Sequence, residues 1–191
     1  MNRYEYLKNK YSLKWIKARK EYGITGHEKY LMSIIRDICP GGSLLDVCIG
    51  TGEPFAEKFI KDGYEVQGVD IAENLLEICK SKGIKASYGN AEQKLDFNDN
   101  SFDLVYCFNS TWYFKDIEKA IAEMIRVSKK WVIFDIIDAT GWRIKLRQLI
   151  SRLKHLSRPK YEFPVYPDRI RKLGDFKEYK KEKIIFVYEK K

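Results

Sequence analysis

The chain is poor in the residue types that build metal sites, disulfide frameworks and membrane spans. Its four cysteines form no Cys-x-x-Cys pair, and its two histidines, His27 and His155, lie far apart. Scattered cysteines are typical of reduced thiols used as small apolar side chains, and so few histidines give a metal site little support. No apolar run approaches the roughly 18 residues that a membrane span needs, and the first residues lack an apolar signal-peptide core. These absences favour a cytoplasmic protein without a bound metal.

Linkers and repeats are also missing. The 191 residues contain no low-complexity stretch and no internal repeat, while 45% are hydrophobic and 33% are charged. This composition is typical of a globular protein, and the length suits one domain with a substantial core. We therefore expect a single domain over residues 1–191.

The positive charge is concentrated at one end of the chain. The segment from Trp142 to Lys191 holds 16 Lys/Arg and 6 Asp/Glu, so its net charge of 16 − 6 = +10 exceeds the net charge of +9 of the whole chain. No acid occurs from Arg143 to Lys160. An apolar stripe at helical spacing runs through this segment: Trp142, Leu146, Leu149, Ile150 and Leu153. The pattern fits a helix packed on the domain with a solvated basic face, a contact with a membrane surface over 142–160, or nucleic-acid binding.

A glycine-containing turn follows the first strong strand signal. Leu44–Val47 reads as a buried strand and includes Asp46, and the sequence Cys-Ile-Gly-Thr-Gly comes next, with Gly50 and Gly52. Such a turn brings backbone N–H groups close to a ligand. A second apolar run ends in Asp70, whose two oxygens match the vicinal hydroxyls of a ribose. The two features together predict a site for a nucleoside-containing cofactor.

A nicotinamide dinucleotide is the competing ligand for this arrangement. It requires a third glycine and a helix N-terminus that accepts a pyrophosphate. Here Phe55 stands in the place of that glycine, and Glu53 brings negative charge to the place of the phosphates. The sequence therefore disfavours the dinucleotide.

Strand and helix signals alternate along most of the chain, which is typical of a parallel sheet covered on both faces. The segment 3–20 reads as an aromatic-rich helix. The strands predicted after it are Ser43–Val47, Glu65–Val69, Lys85–Tyr88, Phe102–Cys107 and Trp131–Ile136. The helices predicted between them are His27–Ile38, Glu53–Lys61, Glu73–Lys82 and Asp116–Ser128. A short helix after Pro167 and two tightly joined strands, Phe176–Lys180 and Ile184–Tyr188, complete the pattern, so at least one strand is expected to be antiparallel.

Four motifs in this order resemble class I S-adenosylmethionine-dependent methyltransferases, near the small type 11 group that includes quinone-biosynthesis methyltransferases. The motifs are the glycine turn with Asp46 and Asp70, the sequence Gly89-Asn90-Ala91-Glu92, the strand Phe102-Asp103-Leu104-Val105, and the helix that carries Glu123, Arg126 and Val127. The resemblance covers roughly residues 34–137. It implies an α/β fold with a Rossmann-like, mostly parallel seven-stranded sheet, an antiparallel C-terminal strand, and helices on both faces.

The resemblance also implies a cofactor, S-adenosyl-L-methionine, and a product, S-adenosyl-L-homocysteine. Cys48 replaces the family's first glycine, and Asn90 replaces its usual aspartate. Asp46 is expected near the cofactor's ammonium group, Ile71 on an adenine face, and Asn90 at the adenine amino group. The predicted cofactor-binding residues are Asp46, Cys48, Gly50, Gly52, Asp70, Ile71, Asn90, Ala91, Glu92, Phe108 and Asn109. For each acid the alternative is a helix cap or a solvated loop position.

Catalytic residues are harder to identify, because methyl transfer requires mainly alignment and the exclusion of water. Asp135 and Asp138, around the end of the fifth strand, are candidate bases, with solvation or capping as the alternative. Tyr113 follows the fourth strand and is a candidate wall of the acceptor pocket, or a plain core aromatic residue. His27 could also serve as a base, although a lone histidine is more often structural. The N-terminal residues 1–38 are a candidate lid, and 139–175 are expected to form a basic insertion on the acceptor side.

The sequence therefore predicts a cytoplasmic methyltransferase that acts on a small or amphiphilic acceptor, with an anionic acceptor and a peripheral membrane contact as open options. Two alternatives stay open at this point. One is an RNA methyltransferase that uses the basic C-terminal quarter. The other is a protein that binds S-adenosylmethionine without turnover, which the unusual Cys48 and the lack of an obvious base both allow.

Overall fold

The computed structural model describes residues 23–137, 165–180 and 183–191. The strands are β1 (Ser43–Val47), β2 (Glu65–Asp70), β3 (Lys85–Tyr88), β4 (Phe102–Cys107), β5 (Ser128–Ile136), β6 (Phe176–Lys180) and β7 (Ile184–Glu189). The α-helices are α1 (Gly26–Ile38), α2 (Phe55–Lys61), α3 (Glu73–Ser81), α4 (Ile117–Val127) and α5 (Pro167–Arg171), and a 3₁₀ turn spans Thr111–Tyr113.

The described strands form one sheet in the order β3-β2-β1-β4-β5-β7-β6. β1 pairs in parallel with β2 and β4, and β4 in turn pairs in parallel with β5. β7 pairs antiparallel with both β5 and β6 and so runs against the other strands. The prediction of a mostly parallel seven-stranded sheet with an antiparallel C-terminal strand is confirmed. The carboxyl ends of β1, β2, β4 and β5 consequently meet at one edge.

Two apolar cores lie on opposite faces of this sheet, because neighbouring residues of a strand point to opposite sides. On one face Leu45 and Val105 join α4 through residues such as Ile121. On the other face Leu44 and Leu104 join α1 and α2. Helices therefore cover both faces, as the alternation of strand and helix signals predicts, and the sheet is held rigidly between them.

Reciprocal capping sets the start of α1. The Thr25 hydroxyl accepts from the backbone N–H of Glu28 at 3.2 Å, and the Glu28 carboxylate accepts from the backbone N–H of Thr25 at 2.9 Å. Such a capping box satisfies two amide donors that the first helical turn would otherwise leave unpaired. The first turn of α1, which holds His27, thus has a fixed position beside the strand ends.

Strands β1, β3, β4 and β6 begin and end at the predicted residues, and β2, β7, α1, α3 and α4 differ from prediction by one residue at one or both ends. Larger differences occur at the starts of β5 and α2. β5 begins at Ser128, because Ser128 pairs with Phe102 before an irregularity in the ladder. α2 begins at Phe55 because Pro54 occupies its N-cap position. The predicted helices at 3–20 and around Trp142–Leu156 lie outside the described residues, as does Asp138.

Candidate functional site

A cavity of about 500 Å³ opens at the carboxyl ends of the parallel strands. In the sheet, β1 lies between β2 and β4, and the chain after β1 turns toward β2. The cavity lies beside this turn, which is the position at which open α/β sheets bind ligands. Ten of the predicted site residues line it: Asp46, Cys48, Gly50, Asp70, Ile71, Asn90, Ala91, Phe108, Asn109 and Tyr113. Gly52, Glu92 and Asp135 are not among the lining residues.

The loop after β1 bends sharply enough to need left-handed backbone conformations. Cys48, Gly50 and Gly52 have φ angles of 66°, 59° and 77°. A Cβ added at Gly50 would meet nothing within 4 Å, so the backbone there is open to a ligand. A Cβ added at Gly52 would lie 2.5 Å from the Cδ1 atom of Ile84, so Gly52 lets the loop pack against the protein behind it. The two glycines therefore have different tasks.

Asp70 ties the end of β2 to this loop. Its Oδ2 atom accepts from the backbone N–H of Gly50 at 2.9 Å, and its Oδ1 atom accepts from that of Ala72 at 2.9 Å. Burial raises the pKa of the Asp70 carboxyl, and these backbone hydrogen bonds oppose the rise. Each carboxylate oxygen has a second acceptor position. Asp70 can therefore hold the loop and still present both oxygens to a ligand.

Asp46, one residue before the end of β1, is one of the carboxyl groups that line the cavity. It is 5% exposed, and the Tyr106 hydroxyl donates to its Oδ2 atom at 2.8 Å. Burial raises the pKa of Asp46 to about 8, against the opposing effect of the Tyr106 hydrogen bond. A buried carboxyl of this kind gains most when a cationic group comes beside it. The site thus favours a ligand that carries positive charge at this end.

The loop after β3 carries three predicted cofactor residues, of which two line the cavity and one does not. Asn90 and Ala91 line the cavity, and the Asn90 side-chain oxygen accepts from the backbone N–H of Glu92 at 3.0 Å. Glu92 instead accepts from the backbone N–H of Asp116 at 2.8 Å and so anchors the approach to α4. Glu92 thus contacts the N-cap residue of α4 and is not among the residues that line the cavity.

Aromatic side chains form the wall after β4. The ring centroids of Phe108 and Phe55 are 5.0 Å apart, and those of Trp112 and Tyr113 are 5.7 Å apart. Tyr113 is 8% exposed and lines the cavity. The wall is aromatic, so the faces of its rings suit the ring of an organic molecule.

Asp135, a predicted base, lies beneath the cavity and has its oxygens engaged by protein donors. Oδ1 accepts from the backbone N–H of Asn109 at 2.7 Å, and Oδ2 faces His27 Nε2 at 3.2 Å and Lys183 Nζ at 2.7 Å. Burial would raise the pKa of Asp135, but the His27 hydrogen bond and the Lys183 ammonium outweigh it and lower the pKa overall. Asp135 is therefore an ionised group that positions its neighbours.

Lys183, for which no role is predicted from the sequence, belongs to the site in the structure together with His27, which is predicted only as a secondary candidate base. His27 and Lys183 both line the cavity, and the Lys183 ammonium lies 4.9 Å from the centroid of the Trp112 ring. Lys183 also donates to the side-chain oxygen of Asn109. The Thr25-to-Glu28 spacing signalled a helix start next to His27. No local signal could place Lys183, which lies 48 residues from Asp135.

The sheet has the strand order and the antiparallel β7 of a class I methyltransferase fold. The glycine turn and the acids Asp46 and Asp70 lie at the ends of its strands. Residues 45–134 of this chain match a family described as a methyltransferase domain, and the predicted resemblance to class I S-adenosylmethionine-dependent methyltransferases is therefore confirmed.

Known proteins resemble the chain in sequence and in fold. Demethylmenaquinone methyltransferase of Staphylococcus aureus is 35% identical over 112 residues, which cover 54% of this chain and 46% of that protein. The chain thus spans about half the length of the curated relatives it matches. Magnesium protoporphyrin IX methyltransferase of Synechocystis PCC 6803, solved with bound SAH, has a TM-score of 0.70 at 15% identity and 94% and 95% coverage of the two chains. The PH0226 protein of Pyrococcus horikoshii has a TM-score of 0.64 at 23% identity, with 84% and 88% coverage.

Within the described part of the chain, no helix has the length and apolar character that crossing a bilayer requires.

Proposed function

We propose that the chain is an active methyltransferase that uses S-adenosyl-L-methionine and methylates a small or amphiphilic acceptor with an apolar ring. The observation that carries the proposal is the pair of buried acids, Asp46 and Asp70, at adjacent strand ends of one cavity. The cofactor carries an ammonium group and a ribose. The first matches the buried carboxyl of Asp46, and the second matches the two acceptor oxygens of Asp70.

The residues present fit this cofactor. The open space at Gly50 lets the loop backbone approach a ligand, and Asn90 and Ile71 line the same cavity for an adenine ring. When bound, S-adenosylmethionine supplies a methyl group on a positively charged sulfur, which is a good leaving group. The protein's task is then to align the acceptor and to exclude water from it.

The aromatic wall supports an acceptor with a flat apolar part. Phe108, Trp112 and Tyr113 lie on the side of the cavity after β4. A relative named for demethylmenaquinone supports an acceptor of this kind. Turnover distinguishes the proposal from a protein that only binds the cofactor, and a screen of phenolic, carboxylic and lipid acceptors measures it.

Isothermal titration calorimetry with S-adenosylmethionine and S-adenosylhomocysteine tests the shared premise. In Asp70→Asn the acceptor oxygen that remains keeps one backbone contact, but the negative charge is lost. A hydrogen bond to a charged group contributes about 1.5–3 kcal/mol, so we expect the Kd to rise roughly 10-fold to 100-fold. Asp175→Asn removes an exposed carboxylate away from the cavity and should leave the Kd unchanged. Wild-type protein that takes up neither ligand at millimolar concentration would disprove the proposal, as would unchanged binding in Asp70→Asn.

We further propose that the basic segment 142–160 brings the domain to an anionic membrane surface where an amphiphilic acceptor resides. The support is its sequence, a stripe that includes Trp142 within a run free of acids. Co-sedimentation with anionic liposomes should be strong for the wild type and weak for Trp142→Glu. No sedimentation of either protein would refute the membrane contact, and a salt-dependent shift of RNA would favour the nucleic-acid alternative.

A further inference from the structure

His27 is buried yet opens onto the cavity. It lies in the capped first turn of α1, its side chain is 4% exposed, and it is among the lining residues. Its Nε2 atom faces Asp135, whereas its Nδ1 atom is buried without a hydrogen-bond partner among the residues that the structure describes. A buried polar atom of this kind costs free energy unless a ligand satisfies it.

The surroundings of His27 decide which ring nitrogen carries the proton. Asp135 accepts from Lys183 Nζ and from the backbone N–H of Asn109, both at 2.7 Å, which is the environment of a carboxylate, so its Oδ2 atom can only accept. The Nε2 atom of His27 must then be the donor in the 3.2 Å contact. In a neutral imidazole the other nitrogen has the lone pair. The Nδ1 atom is therefore the acceptor nitrogen of a side chain that lines the cavity.

We propose that His27 is the general base of the methyl transfer and that the acceptor is a hydroxyl group on a flat apolar ring. This inference rests on the proposed function. Asp135 is the positioning residue that fixes the imidazole tautomer, and the charged groups around the pair are Glu28 on α1 and Lys183 before β7. The Lys183 ammonium, beside the Trp112 ring, lies where it can stabilise an acceptor oxygen that becomes negative.

The proton and electron balance of the step is complete without a further reactant. The acceptor oxygen forms a bond to the methyl carbon, and the carbon–sulfur bond breaks with its electron pair going to sulfur. The hydroxyl proton ends on Nδ1 of His27. The resulting imidazolium is stabilised by the Asp135 carboxylate and returns its proton to water when the site opens.

Nitrogen-15 NMR of the imidazole rings tests the tautomer without any turnover. The chain has two histidines, so comparison of wild type with His27→Gln assigns the signals of His27. At pH 8 we expect a protonated Nε2 and an unprotonated Nδ1, both in free protein and with S-adenosylhomocysteine bound. A proton on Nδ1, in either the neutral ring or an imidazolium, would overturn the proposal.

Kinetics with two phenols then test the base itself. At pH 8, 4-nitrophenol is mostly ionised and needs no base, whereas 4-methylphenol must lose a proton. Since general-base catalysis contributes about 10²–10⁴-fold, His27→Gln should lose at least 100-fold in kcat with 4-methylphenol. With 4-nitrophenol it should stay within a few-fold of wild type. Lys29→Gln changes an exposed side chain on the same helix and should keep both activities.

Calorimetry distinguishes a role of His27 as general base from a role in holding the cofactor. His27→Gln should bind S-adenosylmethionine with the Kd of the wild type. A weakened Kd with equal loss toward both phenols would make His27 a cofactor-holding residue and overturn its role as base. Wild-type protein that binds the cofactor but methylates neither phenol would overturn the hydroxyl acceptor. Wild-type protein that binds no cofactor would overturn the proposed function instead, while the NMR result for His27 would stand.

Discussion

At the scale of single residues, three buried carboxyl groups of similar exposure behave differently because their neighbours differ. Asp46 has one hydroxyl donor, Asp70 has two backbone donors, and Asp135 has a histidine, an ammonium and a backbone donor. The pKa is raised at Asp46 and Asp70 and lowered at Asp135. Asp46 and Asp70 line the cavity and can gain from a ligand that donates to them, whereas Asp135 already accepts from three donors of the protein.

The raised pKa of Asp46 predicts a cost to stability as pH rises. The folded-state pKa is about 8 against an ordinary value of 3.8, so between these values the unfolded chain has lost a proton that the folded protein keeps. The free energy of unfolding then falls with pH over this window, by up to about 1.4 kcal/mol per pH unit from this group. Asp46→Asn retains an acceptor for Tyr106 but cannot titrate. Urea unfolding at pH 5 and pH 8 should show a smaller decline for Asp46→Asn, and parallel declines would contradict the pKa shift.

At the scale of elements, the loop after β1 depends on a glycine in the neighbouring strand. Gly68 pairs with Asp46 in the register of β1 and β2, and the loop after β1 folds back over it. The backbone N–H groups of Cys48 and Ile49 both donate to the carbonyl of Val69, at 2.8 and 3.1 Å. The Ile49 side chain consequently occupies the space that a side chain at Gly68 would need.

Gly68→Ala should therefore lower stability and displace the loop after β1. An added Cβ would lie 2.2 Å from the Cδ1 atom and 2.7 Å from the Cβ atom of Ile49, so the loop must move. Overpacking of this kind costs about 1–3 kcal/mol, which thermal or urea unfolding measures. We also expect a weaker Kd for S-adenosylmethionine. Gly41→Ala, where an added Cβ meets nothing within 4 Å, should change the unfolding free energy by less than about 0.5 kcal/mol.

At the scale of the whole molecule, Asp135 joins parts of the chain that are distant in sequence. His27 on α1, Asn109 after β4 and Lys183 before β7 all direct donors at this one carboxylate. The network closes the bottom of the cavity and holds α1 against the C-terminal strands. The network thereby fixes the positions of the elements at the sheet edge where the cavity opens.

Lys183→Met should weaken the fold by leaving the buried carboxylate of Asp135 without its cation. Breaking one side of a buried ion pair costs about 3–5 kcal/mol, and the 19% exposure of the Lys183 side chain places the expected loss nearer 3. Since the pKa of Asp135 is depressed, this stabilisation exists above its ordinary pKa of 3.8 and is lost as pH falls through the folded value.

A double-mutant cycle measured by urea unfolding checks this loss. Asp135→Asn added to Lys183→Met should recover part of the stability, because the neutral amide no longer needs a cation. Lys177→Met, at an exposed position of β6, serves as the control and should be nearly neutral. Equal losses at positions 177 and 183 would show that the network contributes no particular stability.

The sequence by itself determined the succession of strands and helices, the glycine turn and the acids at the strand ends. Local patterns are sufficient for these, because the bounds of β1 and β4 depend on apolar runs and turn residues that are adjacent in the chain. The same reasoning missed the start of β5 at Ser128, since Ser-Lys-Lys has no apolar pattern and is ordered only by pairing with β4.

Only the tertiary structure decided which acid faces a ligand and which faces the protein. Asp46, Asp135 and Glu92 are all acids near strand ends in the sequence, yet only Asp46 lines the cavity. His27 meets Asp135 across 108 residues, and that contact exists because α1 docks on one face of the sheet. The physical reason is that a carboxyl group's charge and role follow from the donors around it, and packing brings those donors from parts of the chain that no local pattern connects.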